Sequence, residues 1–319
     1  MVDHLVDLHL HLGASSTPHF LWELAHEQGI RLAEKDYFAF IDSITIRKQT
    51  TYDKYLKFFD VTERIQSSTY AIEYAMHNAV SRAYRKGGVT IMEIRFNPML
   101  RNRGGEQDLD KIIFGAIVGM KKACLEYPVK AGLILMMDRR FPKEKNEIIA
   151  KKAARFASEG VVGLDIAGPL TKAFRVEDLA GSVAIARKAN LGITIHTGEV
   201  TGVDEVWKVV KLLRPDRIGH GIRSVDDPKL LDYLAKEKII LEVCPTSNIQ
   251  TSAVKTWEEM GRIIAKLKDH RVAFTINSDG PELLGTTVKE EFERLVEKGI
   301  LTKQDVAGCT KTAKEATFL

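Results

Sequence analysis

Cysteine is scarce in this chain. Cys124, Cys244 and Cys309 are the three among 319 residues, at wide spacing and without a C-x-x-C pair. That count argues against a disulfide framework and for a reducing compartment. The chain also lacks a long apolar run. None approaches the ~20 residues that a membrane helix needs. The start, Met1-Val-Asp-His-Leu-Val-Asp, has no basic region followed by an apolar stretch, so no secretory signal is read and a cytoplasmic location is expected. Excess charge is absent too: 47 Lys and Arg face 43 Asp and Glu, for a net charge of +4. Nothing in that balance calls for nucleic acid or a membrane surface as partner. There is no internal repeat, low-complexity tract or Pro/Ser-rich linker, so residues 1–319 are read as one domain.

What the chain does have is a regular alternation. Apolar, β-branched runs are read as strands at Leu5–Leu12, Val89–Phe96, Val129–Met137, Val161–Ala167, Ile193–His196, Arg217–Gly219, Ile239–Val243 and Val272–Asn277. Most are too continuously apolar for a sheet with a wet face, so they suit parallel strands buried on both sides. Helical spacing lies between them, over Thr69–Lys86, Asp110–Glu126, Glu144–Ser158, Val176–Ala189, Asp204–Leu213, Pro228–Lys236 and Thr256–His270. The first of these ends at Gly87-Gly88, a helix stop signal. Eight strand–helix units predict a TIM-type (β/α)8 barrel. The segment from Ser15 to Ser67 is long for one connection and is expected to hold extra helices between strands 1 and 2, one of them near Leu21–Gln28. The tail after Thr302 reads as a terminal helix.

Barrel enzymes place their chemistry where strands end. Here the strand ends carry His9 and His11, Gly168, His196 with Glu199, His220, and Asp279. Alternate residues of a strand share a face, so His9 and His11 point the same way and can grip one cation. His196 and Asp279 would complete a shell of three nitrogens and one oxygen with room for water, a set suited to zinc. Iron, cobalt and manganese also accept these donors. No strand offers a lysine at a ligand position, which favours one metal per chain over two. Glu199, His220 and Asp279 would then supply acid and base beside the water. Taken singly, each residue has a plainer reading: a strand-end histidine as a hydrogen-bonded core residue, Glu199 as a helix cap, Asp279 as a turn former before Pro281. Their joint occurrence at five strand ends favours the site.

These residues stand in motifs. Val6-Asp-Leu-His-Leu-His-Leu12, Gly163-Leu-Asp-Ile-Ala-Gly168, His196-Thr-Gly-Glu199, Arg217-Ile-Gly-His-Gly221, Cys244-Pro-Thr-Ser-Asn248 and Asn277-Ser-Asp279 follow in order over almost the whole chain. Together they resemble the signatures of the adenosine/AMP deaminase family. The resemblance implies that His9, His11, His196 and Asp279 hold zinc. It also implies that Glu199 protonates purine N1, that Gly168 donates its backbone N–H to N3, and that His220 handles the attacking water. The implied reaction is hydrolytic loss of ammonia from a 6-aminopurine, and the implied partner is a small aminopurine. On this reading His11, Gly13, Gly168 and Gly280 line the substrate side.

Three positions depart from the pattern. The family's acidic or amide residue two positions after the second histidine, which holds a ribose hydroxyl, is Gly13 here. The second acid after the metal aspartate, which contacts purine N7, is Gly280. Pro169 replaces a polar residue after Gly168. Two substrate contacts replaced by empty space suggest a ligand other than plain adenosine, such as a 5′-modified nucleoside, or relaxed discrimination. The alternatives are a metal-dependent hydrolase of another cyclic amine or amide, and a catalytically silent ligand-binding barrel. Glu242 and Ser247 are read either as hydrogen-bond supports of the metal ligands or as packing and turn residues. Arg95 and Asn97 are read as structural, Cys244 as a buried apolar residue, and the Arg139-Arg140 pair as solvated, with an anionic group to meet as the alternative. Trp22, Phe58 and Phe59 are read as core, with a lid over the purine as the sharper alternative.

Overall fold

A computed structural model describes residues 4–102 and 107–319. Eight parallel strands follow one another in sheet order: β1 (Leu5–His11), β2 (Val89–Phe96), β3 (Lys130–Asp138), β4 (Val161–Ala167), β5 (Gly192–Thr197), β6 (Arg217–His220), β7 (Ile240–Val243) and β8 (Phe274–Ile276). The ring closes just past β8, where the His11 N–H donates to the Asp279 carbonyl (2.8 Å) and the Asp279 N–H to the His9 carbonyl (2.9 Å). This is the (β/α)8 barrel that the alternation predicts. The closure therefore binds two strand ends that carry candidate site residues.

Alternation along the strands sorts the two faces. Met92, Ile94 and Phe96 of β2, Leu133, Leu135 and Met137 of β3, and Leu241 and Val243 of β7 belong to the large apolar core beneath the helices. Many of the intervening positions are polar, although Ile134 and Met136 of β3 are not. Glu93, Arg95, Asp165, Thr194, Arg217, Glu242 and Thr275 are all at most 1% exposed. Both faces are buried as expected, but the inner one is a polar network. Single polar residues inside otherwise apolar runs concealed it in the sequence.

The long first connection holds α1 (Pro18–Glu27), α2 (Tyr37–Ser43) and α3 (Tyr52–Ile65), ahead of α4 (Thr69–Gly87). Thr17, Asp36, Thr51 and Ser68 each cap the following helix by accepting a backbone N–H. Gly88 ends α4 in the left-handed region, with φ 66°. Helices Leu109–Glu126, Lys143–Arg155, Ala180–Lys188, Val203–Leu212, Pro228–Glu237 and Trp257–Asp269 follow β2 to β7. Helices Val288–Glu297 and Lys303–Ala316 follow β8; the first is absent from the sequence reading although Val288, Phe292 and Leu295 stand at helical spacing and are buried. No helix among the described residues is long and apolar enough to cross a membrane.

The floor of the barrel is closed by the chain's last residues. Glu93 accepts from the Thr317 hydroxyl (2.7 Å) and the Phe318 N–H (2.5 Å), and it pairs with Arg217. The Arg217 guanidinium lies 3.6 Å over the Phe318 ring and donates to the Ala316 carbonyl at 2.6 Å. Removing one partner of a buried pair leaves an uncompensated charge, at a cost of about 3–5 kcal/mol. Glu93→Ala is therefore expected to lose about that much stability, read from urea unfolding midpoints at unchanged m. A loss under about 1 kcal/mol would show that the network does not hold the floor.

Candidate active site

β1 brings His9 and His11 to the carboxyl mouth of the barrel, β5 brings His196, and the turn after β8 brings Asp279. Their inward atoms converge. His11 Nε2 lies 3.3 Å from His9 Nε2 and 3.2 Å from His196 Nε2. Asp279 Oδ1 lies 3.4 Å from His11 Nε2 and 3.9 Å from His9 Nε2. A tetrahedral site with metal–nitrogen bonds of roughly 2.0–2.1 Å has ligand–ligand edges of about 3.3 Å. The cluster thus has the dimensions of a cage for one divalent cation.

The outward atoms of the same rings are held by carboxylates. His9 Nδ1 lies 2.7 Å from Glu242 Oε2, and His196 Nδ1 lies 2.9 Å from Asp165 Oδ2. A carboxylate accepts, so Nδ1 carries the ring proton and Nε2 turns its lone pair to the centre. Burial holds both histidines well below their usual pKa, with Arg95 reinforcing it, so the rings are neutral. The lone pairs of His9 and His196, turned to a centre that His11 Nε2 also faces, suit a cation.

The surrounding charges agree. Arg95 donates to Asp165 and Glu242 at 2.9 Å each, and Arg217 donates to Glu242 at 2.6 Å. Glu93, Asp165 and Glu242 face two guanidiniums, and Asp279 adds another negative charge. A divalent cation balances that set. Burial pushes the Asp165 and Asp279 carboxyls up to about 6. For Glu242 burial acts in the same direction, but Arg95 and Arg217 outweigh it and hold the carboxyl at about 2.

Glu199 and His220 complete the wall, with His220 Nε2 3.7 Å from Glu199 Oε2. The Asn248 amide lies 3.0 Å from His220 Nδ1 and orients that ring. Burial, with the nearby Asp279 charge, raises Glu199 to about 8, so its carboxyl keeps a proton at neutral pH. His220 and Asp279 both have left-handed backbones, φ 62° and 61°. Neither is glycine, and such strain collects where a side chain must be aimed. Gly168 (φ 95°) combines that conformation with a close approach, since a Cβ there would lie 2.8 Å from Asp138 Oδ1.

A cavity of ≈ 260 Å³ opens onto these groups, lined also by Gly168, Pro169, Asp138 and Arg140 and roofed by Tyr52, Tyr55 and Phe59 of α3. The structure corrects the empty-space reading of Gly13 and Gly280, the solvated reading of Arg139 and the core reading of Phe59. Gly13 and Gly280 do not face empty space. A Cβ on Gly13 would lie 2.8 Å from the Phe59 ring, and one on Gly280 would lie 2.7 Å from Ala14 Cβ. Arg139 is not solvated. It is 4% exposed and donates to the carbonyls of His196 (2.5 Å) and Gly168 (3.1 Å), bracing two strand ends. Trp22 packs on Phe40 in a separate apolar cluster, whereas Phe59 sits 5.9 Å from the His11 ring. Ser247 does support a site residue, donating to Asp279 Oδ2 at 2.5 Å. Asp165, Asn248, Tyr52 and Tyr55 also belong to this region, without a part assigned to them from the sequence. Asp165 was legible, since it lies inside a quoted motif on the inward register of β4.

A second grouping shares atoms with the cage: His9, His220, Cys244 and Asp279 also bring donor atoms within 4.8 Å of one another. Burial holds the Cys244 thiol well above its usual pKa when no cation is bound.

Comparison with known proteins adds relatives to this geometry. The family model described as "Adenosine deaminase" matches residues 5–319. An adenosine deaminase of Vibrio atlanticus is 31% identical over 314 residues, covering 98% of this chain and 93% of that protein. Among solved structures, an adenine deaminase from Arthrobacter aurescens superposes with a TM-score of 0.89 at 21% identity, over 100% of this chain and 94% of that one. An amidohydrolase from Burkholderia ambifaria with bound zinc gives 0.87 at 20% identity, over 99% and 86%. Those two likenesses concern the fold.

Carboxylates that hold metal-binding histidines typically contribute 10–100-fold in metal affinity. Asp165→Ala is expected to weaken zinc binding by about that factor, measured by competition with a chromophoric chelator. Unchanged affinity would show that the His196 ring is positioned without Asp165.

Proposed function

The chain belongs to the adenosine deaminase family of aminopurine aminohydrolases, and from that premise we propose that it uses one zinc ion per chain to deaminate a 6-aminopurine nucleoside or a close relative. The observation that carries this is the cage of three neutral imidazoles and Asp279 beside a protonated Glu199. When bound, the cation acts as a Lewis acid and brings the pKa of a water toward roughly 7. The barrel runs from β1 at Leu5 to the helix Lys303–Ala316, which packs on β1 and β8. That supports reading residues 1–319 as one domain.

The side chains have distinct tasks in this reading. Glu199 donates its proton to purine N1, which draws electrons from C6 and makes it electrophilic. The Gly168 N–H faces N3 and sets the ring's register in the cavity. His220 takes the proton of the attacking water at Nε2; its Nδ1 then carries the ring proton, and the Asn248 amide turns its oxygen to accept it. Asp279, held by Ser247, keeps its other oxygen toward the cage. A C6–O bond forms and the C6–N bond breaks; the amino group leaves as ammonia with the one proton that His220 took, and the second water proton returns to Glu199 as the C6 hydroxyl becomes a carbonyl. The alternative of a silent binding barrel has no use for a buried carboxyl held protonated 3.7 Å from a neutral imidazole.

Glu199→Gln preserves shape and removes the transferable proton. General acid catalysis contributes ~10²–10⁴-fold, so kcat for ammonia release is expected to fall by that range with metal content unchanged. Near-normal turnover would assign the proton to another group.

Gly13 offers no acceptor to a sugar hydroxyl, and Phe59 fills the direction in which a side chain there would point. The 5′ end of the ligand is therefore recognised weakly, which supports tolerance of 5′-modified nucleosides. Adenosine and 5′-deoxyadenosine are expected to show kcat/KM values within about threefold, less than the ~12-fold that a full neutral hydrogen bond can contribute. A preference for adenosine above tenfold would mean that another residue holds the 5′ hydroxyl.

A further inference from the structure

We propose that Tyr55 is a specificity-determining residue whose hydroxyl donates a hydrogen bond to ring nitrogen N7 of the aminopurine; the assignment rests on the deaminase reading above. Tyr55 lies on α3, the helix that roofs the cavity. Its ring is buried in the apolar cluster of Ala14, Ile46, Leu283 and Leu284, 5.3 Å from the Phe59 ring. That packing leaves the hydroxyl as its one polar atom and aims it at the cage.

The hydroxyl's partner there is a poor one. It lies 3.4 Å from Asp279 Oδ1, beyond the usual 2.5–3.0 Å of an O–H···O bond. The same oxygen faces His11 Nε2 and His9 Nε2, so it belongs to the cage. Asp279 Oδ2 is already held by Ser247 at 2.5 Å. A buried donor beside an oxygen committed elsewhere needs an acceptor from the ligand.

The purine supplies one. With N1 toward Glu199 and C6 at the cage, the ring edge on the far side of C6 presents N7. In an N9-substituted purine N7 carries no proton and only accepts. The next residue along this wall is Gly280, which has no side chain and whose Cβ direction is filled by Ala14. Phe59 and Leu56 of the roof carry no polar side-chain atom. Of the two roof tyrosines, Tyr55 is the one whose hydroxyl lies beside the cage, 3.4 Å from Asp279 Oδ1, and it is the donor assigned to this edge.

The test is a cycle of four kcat/KM values, for adenosine and 7-deazaadenosine with the metal-loaded wild type and Tyr55→Phe. Replacing N7 by carbon also changes ring reactivity, but that change is common to both proteins and cancels in the ratio of ratios. Tyr55→Phe keeps the ring, so melting temperature and metal content should stay unchanged. The wild type is expected to disfavour 7-deazaadenosine about tenfold more than Tyr55→Phe does. A ratio of ratios near one, with adenosine deaminated, overturns the Tyr55 assignment and leaves the deaminase reading standing. That outcome also covers a purely structural role, which would slow both substrates alike. Absence of ammonia release from adenosine, AMP and adenine by the wild type overturns the deaminase reading and the assignment with it.

Discussion

The site depends on one carboxylate, Glu242, at the centre of the barrel. Its Oε2 lies 2.7 Å from His9 Nδ1 and accepts from Arg95 at 2.9 Å. Its Oε1 accepts from Arg217 at 2.6 Å and from Thr194 at 2.9 Å. Two oxygens on β7 thus join it to β1, β2, β5 and β6. The metal cage above and the Glu93–Arg217 floor below therefore share one buried, ionised group. Such a group persists only if fully paired, and here each oxygen has two partners. The arrangement transmits position as well as charge: Glu242 fixes the His9 ring, while Arg95 ties it to Asp165 and so to His196.

Backbone geometry does the rest. The period-two alternation of a strand puts His9 and His11 on one face. Ring closure through the His11 and Asp279 backbones then brings the β8 turn against β1. Left-handed conformations at His220 and Asp279 turn their side chains into the mouth where the strands end. The cage is thus built from the ends of rigid strands, and α3 covers it from a separate connection. On the proposed reading, precision belongs to the barrel and ligand selection to the roof, a division common where loops carry specificity over a rigid scaffold.

Much of this was legible in the sequence, because strand ends in a barrel are marked by where apolar runs stop. His9, His11, His196, Glu199, His220 and Asp279 each stand at such a stop, and the structure brings all six to one mouth. The inner polar face was harder to read. Glu93, Asp165 and Thr194 each interrupt an apolar run only once, and periodicity does not reveal which charges meet across a barrel. Gly13 and Gly280 misled for a related reason: a missing side chain looks like empty space until the neighbour that fills it is known. Phe59 is 46 positions from Gly13, and Ala14 is 266 from Gly280. Arg139 looked solvated because it follows a strand and precedes another arginine. Tyr55 gave no signal, since an aromatic at helical spacing reads as core.

The central claim is that three imidazoles and a carboxylate oxygen, with no sulfur, hold the cation. X-ray absorption at the metal edge of the purified protein measures this directly. The expected spectrum shows nitrogen and oxygen scatterers at about 2.0–2.1 Å with the outer-shell pattern of three imidazoles. A sulfur scatterer near 2.3 Å would place the ion between His220 and Cys244 instead, and would contradict the account.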